Sequence, residues 1–432
     1  MGETHGSRPS LALLSIGDEL LAGAHPDLNA PFLARTFGRL GLPVERTALL
    51  GDDRAGLAAM LTELLAHHRL VITSGGLGPT LDDVTRHAAA DALGVELEHR
   101  EEAWQQVLAW YSDRGTAPPE VNRRQALFPV GAEVLFNPAG TAPAILGRHS
   151  SGALLACLPG PPRELKRVTR DSLLPALEGD LLKALPEQAR SVWTLSHLSE
   201  SVFAESVGEW MDRDARPAMS VSAKEGLLLI AVRDAGDGAI ERVTRRGAEL
   251  VERFDRHVLF AGERTAAEEV IARYSEAGKR LALVESLTGG EVCARLTDVP
   301  GASAVLAEGR VVYSPMSKHR LAGVSQADLD RDGVVSEATA LGLVRGPARQ
   351  GVADVVISLT GAAGPDPEQD GTPPGHVAFG VAVGGERWSL KRSFPPKPRS
   401  RVRRFATHSA LELALRALDG TLELSGATRA QD

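Results

Sequence analysis

A buried strand, a glycine-rich turn and an acidic helix start follow one another without a break in VITSGGLGPTLDDVT, residues 71–85. Leu70, Val71 and Ile72 read as a short interior strand. Gly75, Gly76 and Gly78 allow the backbone behind it conformations that a Cβ forbids, and Pro79 closes the turn. Thr80-Leu81-Asp82-Asp83 fits the capping box Ser/Thr-x-x-Asp/Glu, so Thr80 is expected to cap a helix that carries Ala88, Ala89, Ala90 and Leu93 and stops at Gly94. Such a stretch belongs to a strand-helix alternation, which implies an α/β domain with a parallel sheet covered on both faces. Ligands of these sheets sit beyond the carboxyl ends of the strands.

Asp82 and Asp83 admit two readings. Acids in a first helical turn favour the helix dipole by roughly 0.3–1 kcal/mol each. Alternatively, the free N–H groups of a helix start attract a phosphate that two neighbouring carboxylates repel. A divalent metal bridging carboxylate and diphosphate removes that conflict.

The pattern recurs upstream. Leu11 to Ile16 reads as a strand running into Gly17-Asp18-Glu19-Leu20-Leu21. Asn29 is placed to cap a helix carrying Phe32, Leu33, Phe37 and Leu40, which ends at Gly41 before a strand from Val44 to Leu50. Leu57, Met60, Leu61, Leu64 and Leu65 then mark one face of a helix turned to a sheet. Asn137 to Pro143 and Leu158 to Glu164 are rigid turns flanking a strand at Leu154 to Leu158, and Arg163 starts a helix from a Pro-Gly-Pro-Pro turn at the same sheet end.

At 432 residues the chain is too long for one core. Its formal net charge of −8 argues against broad contact with nucleic acid or an anionic membrane, so any anionic ligand has to be held locally. Cys157 and Cys293, without a CxxC, argue against a disulfide framework or a thiolate metal site and fit a reducing cytoplasm. The polar opening MGETHGSRPS has no apolar run behind it, and no segment reaches bilayer-spanning length, so neither secretion nor membrane insertion is expected.

Between about Pro175 and Ala261 the texture changes to proline- and charge-rich segments with one clear strand at Leu227 to Val232 and a helix from Ala239 to Phe254. This reads as a small α+β linker domain without a catalytic constellation. A fresh unit follows. Thr265 caps a helix ended by Gly278, and a strand from Leu281 leads into Glu285-Ser286-Leu287-Thr288-Gly289-Gly290. Ser286 is either a helix cap or a nucleophile, and the second role needs a base. Lys318 supplies one if burial lowers its pKa, and is otherwise a surface charge. Thr360-Gly361-Ala362-Ala363-Gly364-Pro365 forms another glycine loop at a strand end. Arg399, Arg401, Arg403 and Arg404 are a solvated helix face or a phosphate clamp.

GDELLAG with the D-x-N of Asp27 to Asn29, TSGGLGPTLDDVT, NPAGTAP and LPGPPRELK stand in the order found in the amino-terminal domain of the CinA (competence/damage-inducible) family, and Leu11 to about Leu174 resembles that domain. The resemblance implies a molybdopterin-binding-like three-layer α/β fold and a metal-dependent pyrophosphatase acting on ADP-ribose. It puts Gly75, Gly76, Gly78, Thr80, Asp27 and Asn29 around the diphosphate, with Asp82 and Asp83 toward the metal and Asp83 in catalysis. Asp18 stands where most relatives carry Thr and adds a possible metal ligand. ESLTGG, TDVPGASA, YSPMSK, GVVSE and TGAAGP, from about Thr265 to Leu418, resemble the family's carboxy-terminal domain, a nicotinamide mononucleotide (NMN) amidohydrolase also found as the stand-alone enzyme PncC. That resemblance implies a Ser286-Lys318 dyad with no cofactor. Tyr313, Thr288, Gly289, Ser303, Thr360 and Gly361 would line the pocket, Arg399 and Arg403 would stand near the phosphate, and the chain would form a homodimer.

Leu287, Pro315, Met316 and the segment Thr372 to His376 depart from the family pattern. The expected organisation is therefore 1–174, 175–261 and 262–432, acting as a bifunctional hydrolase of pyridine-nucleotide salvage. The alternatives are a degenerate amidase half, or a pterin- or nucleotide-binding module without turnover.

Overall fold

The computed structural model describes residues 10–179, 181–212, 214–368 and 371–430. The polar opening read from the sequence, apart from Ser10, lies outside them. Chain contacts divide the protein into two compact units, one holding the residues up to Gln188 with Ala235–Asp237, the other Ala189–Asp234 with the residues from Gly238 onward.

In the first unit a six-stranded sheet runs in the order Val44–Leu50, Leu11–Ile16, Leu70–Ser74, Leu154–Leu158, Ala144–Arg148, Glu133–Leu135. The first four strands are parallel, and the last two are added antiparallel. The parallel sheet expected from the alternation is thus a mixed one. Side chains alternate across the sheet: Leu11 and Leu13 pack with Phe37 and Leu165 on one face, Ala12, Leu14 and Ile16 with Leu57, Leu61 and Ala88 on the other. That is the three-layer α/β arrangement, and strands buried on both faces read as continuous apolar runs for this reason.

The second unit contains two sheets. Ala218–Lys224, Leu227–Ala235, Gln188–Ser196 and Val258–Ala261 form a four-stranded one. Three of these strands were not legible as strands: Ala218–Lys224 has no buried residue, Val258–Ala261 is only four residues long, and Gln188–Ser196 begins in a polar stretch. The six-stranded sheet runs Leu306–Val311, Leu281–Glu285, Val355–Gly361, His376–Val383, Glu386–Ser393, Thr428–Arg429, parallel over its first three strands and antiparallel beyond. Leu281 and Leu283 face the long helix Arg399–Asp419, and Ala282 and Val284 face Leu343 and Val344 of the helix Glu337–Arg349. Among the described residues no helix is long and apolar enough to cross a membrane.

A buried ionic network ties the small sheet of this unit to the long helix. Glu412, 2% exposed, accepts from His197 Nε2 at 2.5 Å, Arg392 Nη1 at 2.9 Å and Ser425 Oγ at 3.1 Å. Arg416, one turn on, donates to the Arg256 carbonyl at 3.0 Å. Burial opposes the charged carboxylate, but His197 and Arg392 outweigh it and hold Glu412 at about 2. A carboxyl depressed on folding contributes stability above its unfolded pKa of about 4.3 and loses it as pH falls through the folded value. Glu412→Gln should therefore lower the stability of the second unit by about 3 kcal/mol at pH 7 and by little near pH 2. Hydrogen exchange of the helix Arg399–Asp419 at the two pH values measures this directly, and equal losses at both would exclude the ionic origin.

Candidate active sites

The first site lies at the carboxyl end of the first unit's parallel strands. Leu70–Ser74 is buried throughout and delivers the chain to Gly75 and Gly76, both with positive φ. A Cβ on Gly75 would sit 2.3 Å from the Ile16 carbonyl oxygen, and one on Gly76 would sit 2.1 Å from Thr85 Oγ1, so both positions require glycine.

Beyond them the chain is a turn, where the sequence suggested a helix. Asp83 accepts from the Gly78 N–H at 2.7 Å, the Thr80 N–H at 2.8 Å and the Thr80 hydroxyl at 2.6 Å. The carboxylate therefore closes the loop on itself, Thr80 caps nothing, and the helix begins at Thr85. Thr85 Oγ1 donates to the Gly75 carbonyl at 2.9 Å, and Arg86 donates to the carbonyls of Leu77 at 2.6 Å and Gly78 at 3.2 Å.

The expected cap at Asn29 is likewise displaced. Asp27 accepts from the N–H groups of Asn29 at 2.8 Å and Ala30 at 3.1 Å, and from the Ser15 hydroxyl at 2.6 Å. Asn29 opens the helix and its amide donates to Ser74 Oγ and the Gly160 carbonyl, both at 2.7 Å. Its Oδ1 is buried without a partner, an acceptor in a cavity wall with no protein donor.

These elements enclose a cavity of about 890 Å³. It collects Gly75, Gly76, Gly78, Thr80, Asp27 and Asn29, together with Asp18, Asp82 and Asp83. Two carboxylates that sequence reasoning passed over also line it. Asp52 follows the strand Val44–Leu50, and its N–H donates to Asp18 Oδ1 at 3.3 Å while Asp18 returns a bond to Asp52 Oδ2 at 3.2 Å. Its pKa is raised by burial first and also by the charges of Asp18, Glu19 and Asp83, although the Asp18 N–H works against this. Glu164, in the LPGPPRELK turn, accepts from Asn137 Nδ2 at 2.8 Å and is raised by burial. An acid placed just past a strand end was the available signal for Asp52.

The lining includes no lysine or arginine. Among the described residues no three His, Cys, Asp or Glu side chains converge as a ready-made metal centre. A clustered carboxylate set with no cation of its own suits a divalent ion that takes its remaining oxygens from the ligand.

The second site is organised by Glu285 at the end of the strand Leu281–Glu285. Its buried carboxylate accepts from the Thr288 hydroxyl at 2.7 Å and from the N–H groups of Gly290, Val292 and Cys293 at 3.1, 3.1 and 2.9 Å. The helix-opening N–H groups after Gly289 are thus taken by a carboxylate. The N–H groups of Leu287 and Thr288 have no acceptor among the described residues.

Ser286 is 5% exposed and Lys318 3%. Lys318 Nζ lies 2.9 Å from Ser286 Oγ and 3.2 Å from the Val312 carbonyl. Burial pulls the lysine down to about 8, against a smaller upward pull from Glu368. The helix that carries Lys318, Pro315–Ala322, starts from a reciprocal Ser314-Ser317 cap with Pro315 in its first turn, so the proline in YSPMSK is compatible with this local fold.

The cavity over the pair measures about 510 Å³ and is lined by Leu287, Tyr313, Thr360, Gly361 and Arg399, with Asp330 and Glu368 as acids the sequence did not single out. Arg399 donates to the Tyr313 hydroxyl at 2.7 Å and the Gly364 carbonyl at 2.5 Å. Four other residues expected here do not line it. Thr288 is buried on Glu285, Gly289 belongs to the turn beside it, Ser303 is exposed on the short helix Ala302–Val305, and Arg403 is turned to the Thr288 carbonyl at 2.7 Å.

Residues 12–179 match the family model described as "Probable molybdopterin binding domain", and residues 263–418 match "CinA C-terminal domain". The chain is 36% identical over 416 residues to a CinA-like protein of Anaeromyxobacter sp. (strain K), covering 94% of this chain and 99% of that one. It is 36% identical over 372 residues to a CinA-like protein of Synechococcus sp. (strain CC9311), covering 85% and 86%. With both family models matched in sequence and likeness extending over nearly the whole length, the chain belongs to the CinA family.

Proposed function

We propose that the protein is a bifunctional hydrolase, cleaving the amide of NMN at Ser286 and the diphosphate of ADP-ribose in the acidic cavity. The observation that carries this reading is the 2.9 Å contact between Lys318 Nζ and Ser286 Oγ, both buried in one cavity. A serine hydroxyl is a weak nucleophile until its proton is removed, and a lysine lowered to about 8 is neutral often enough near neutral pH to remove it.

Ser286 Oγ attacks the amide carbon as its proton moves to Nζ. The tetrahedral oxyanion meets the free N–H groups of Leu287 and Thr288, the residues that directly follow the nucleophile. Collapse breaks the C–N bond, Nζ returns the proton to the leaving nitrogen, and ammonia departs. Water then attacks the ester with its proton passing to Nζ, the bond to Oγ breaks, and Oγ recovers a proton as nicotinic acid mononucleotide leaves. Arg399, positioned by Tyr313 and Gly364, offers charge to the phosphate.

In the first unit the cavity of about 890 Å³ accommodates a nucleotide-sized ligand. Asp18 and Asp52, linked through each other's N–H groups, would hold a divalent cation together with oxygens of the ligand, and the cation when bound supplies charge neutralisation at the diphosphate oxygens. The glycine loop lets the backbone approach those oxygens closely, and Asn29 Oδ1 accepts a hydroxyl from the ligand. AMP and ribose 5-phosphate are the products.

For the amidase half, kcat/KM with NMN is expected to rise with pH to a plateau governed by a pKa near 8, since the base works unprotonated. Ser286→Ala should remove ammonia release, and Leu287→Cys should leave it within a few-fold. Undiminished release by Ser286→Ala would overturn the dyad, and activity only in Leu287→Cys would mark the native half as degenerate.

For the diphosphatase half, chelator should abolish AMP production from ADP-ribose, and Asp52→Asn should lower it by at least about tenfold. Full turnover with the metal stripped would remove the cation from the mechanism.

A further inference from the structure

The turn that walls the acidic cavity has a second face. Behind Thr80 and Asp83 lies a separate cavity of about 310 Å³ lined also by Arg54, Arg86, His87 and Arg124. The acidic cavity has no lysine or arginine, so guanidinium groups meet this turn from the other side only. We infer that this basic cavity is a binding site for a phosphate dianion, free or as a phosphomonoester.

Arg86 is the strongest sign. It is 2% exposed, its Nη groups reach only the carbonyls of Leu77 and Gly78, and its Nε is buried without any partner. No carboxylate is within ion-pair distance of it among the described residues. Burying a guanidinium with no carboxylate bonded to it is costly, and here burial pulls its pKa to about 10 although the charge of Asp83 nearby works in the opposite direction. An anion in the cavity beside it offsets that cost.

The remaining donors are available. The side chains of Arg124 and His87, which line the cavity, have no hydrogen-bond or ion-pair partner among the described residues. Arg54 is fixed by Asp91 through Nε and Nη2, both at 2.7 Å, which leaves its Nη1 unbonded. Asp83 also lines the cavity, but both of its oxygens accept from Gly78 and Thr80. The cations act on one place: the His87 imidazole is held below its ordinary range by burial and then by Arg54, Arg86 and Arg124, with Asp91 opposing them.

Planar guanidinium forks match the oxygens of phosphate, and a cavity of about 310 Å³ admits a phosphate with part of a sugar but no dinucleotide. If the diphosphatase reading holds, its two products carry this group; the site itself does not depend on that reading.

The test is calorimetric titration of the full chain in chelator, where a metal-borne site in the acidic cavity is silent, with inorganic phosphate, ribose 5-phosphate and AMP. Saturable binding is expected for at least one of them, weakened about tenfold or more in Arg124→Glu and also weakened in His87→Gln. Phosphate should also move the NMR titration of His87 upward, since an adjacent dianion favours the imidazolium against the three arginines. Equal affinity for all three ligands would identify the dianion alone as sufficient, and binding of the esters only would identify phosphomonoesters as the ligand. Absence of saturable binding by all three, or affinities unchanged in both variants, would overturn the site whatever the fate of the diphosphatase assay.

Discussion

Backbone N–H groups left over where a sheet hands its chain to a turn or a helix need acceptors, and in this protein carboxylates supply them. Asp27 holds the helix start at Asn29 and Ala30, Asp83 closes the loop from Gly78 to Thr80, and Glu285 gathers three N–H groups and a hydroxyl ahead of the helix Glu291–Thr297. Both sites inherit their shape from these closures. They also inherit negative charge at the carboxyl ends of the strands, which sets the electrostatic problem each cavity has to solve.

The two solutions differ. In the first unit burial, and then the charges of Asp18, Glu19 and Asp83, disfavour the ionised form of Asp52, and no lysine or arginine lines the cavity. In the second, Glu285 is saturated by its own hydrogen bonds, so its charge is already balanced before a ligand arrives. Lys318 can then be buried without a carboxylate contact and is pushed toward its neutral form. Glu368, across the cavity, limits how far that goes.

The family, the fold class and the presence of a cavity at each glycine-marked strand end were legible because their determinants are local: apolar runs of strand length, glycines at strand ends, and short motifs. What escaped was set by pairing over distance. Thr80 and Asn29 both satisfy the rules for a cap, yet the acceptors are Asp83 and Asp27, since a side chain two or three residues away in the turn wins the N–H first. Asp52 enters the site through the register of Val44–Leu50 beside Leu11–Ile16, a relation no single stretch encodes. The small sheet of the second unit hid for the same reason. Strands such as Ala218–Lys224, with its intermediate and exposed residues, draw stability from partners and carry little apolar signature of their own. Arg403 and Ser303 were placed by motif alone, and tertiary packing turned both away from the cavity.

The glycine loop has a consequence for how this cavity can change over evolutionary time. A side chain at Gly75 would strike the Ile16 carbonyl, at Gly76 Thr85, and at Gly78 Asp83, while Gly160 packs against Gly75 backbone to backbone. The floor of the cavity is therefore main chain, and amino-acid replacement has almost no purchase on it. New ligand preferences have to arise on the rim, among residues such as His25, Leu28 and Asp82 that line the same space. A lineage could thus retune what lies at either end of a bound molecule many times over while the surface offered to its middle stayed the same.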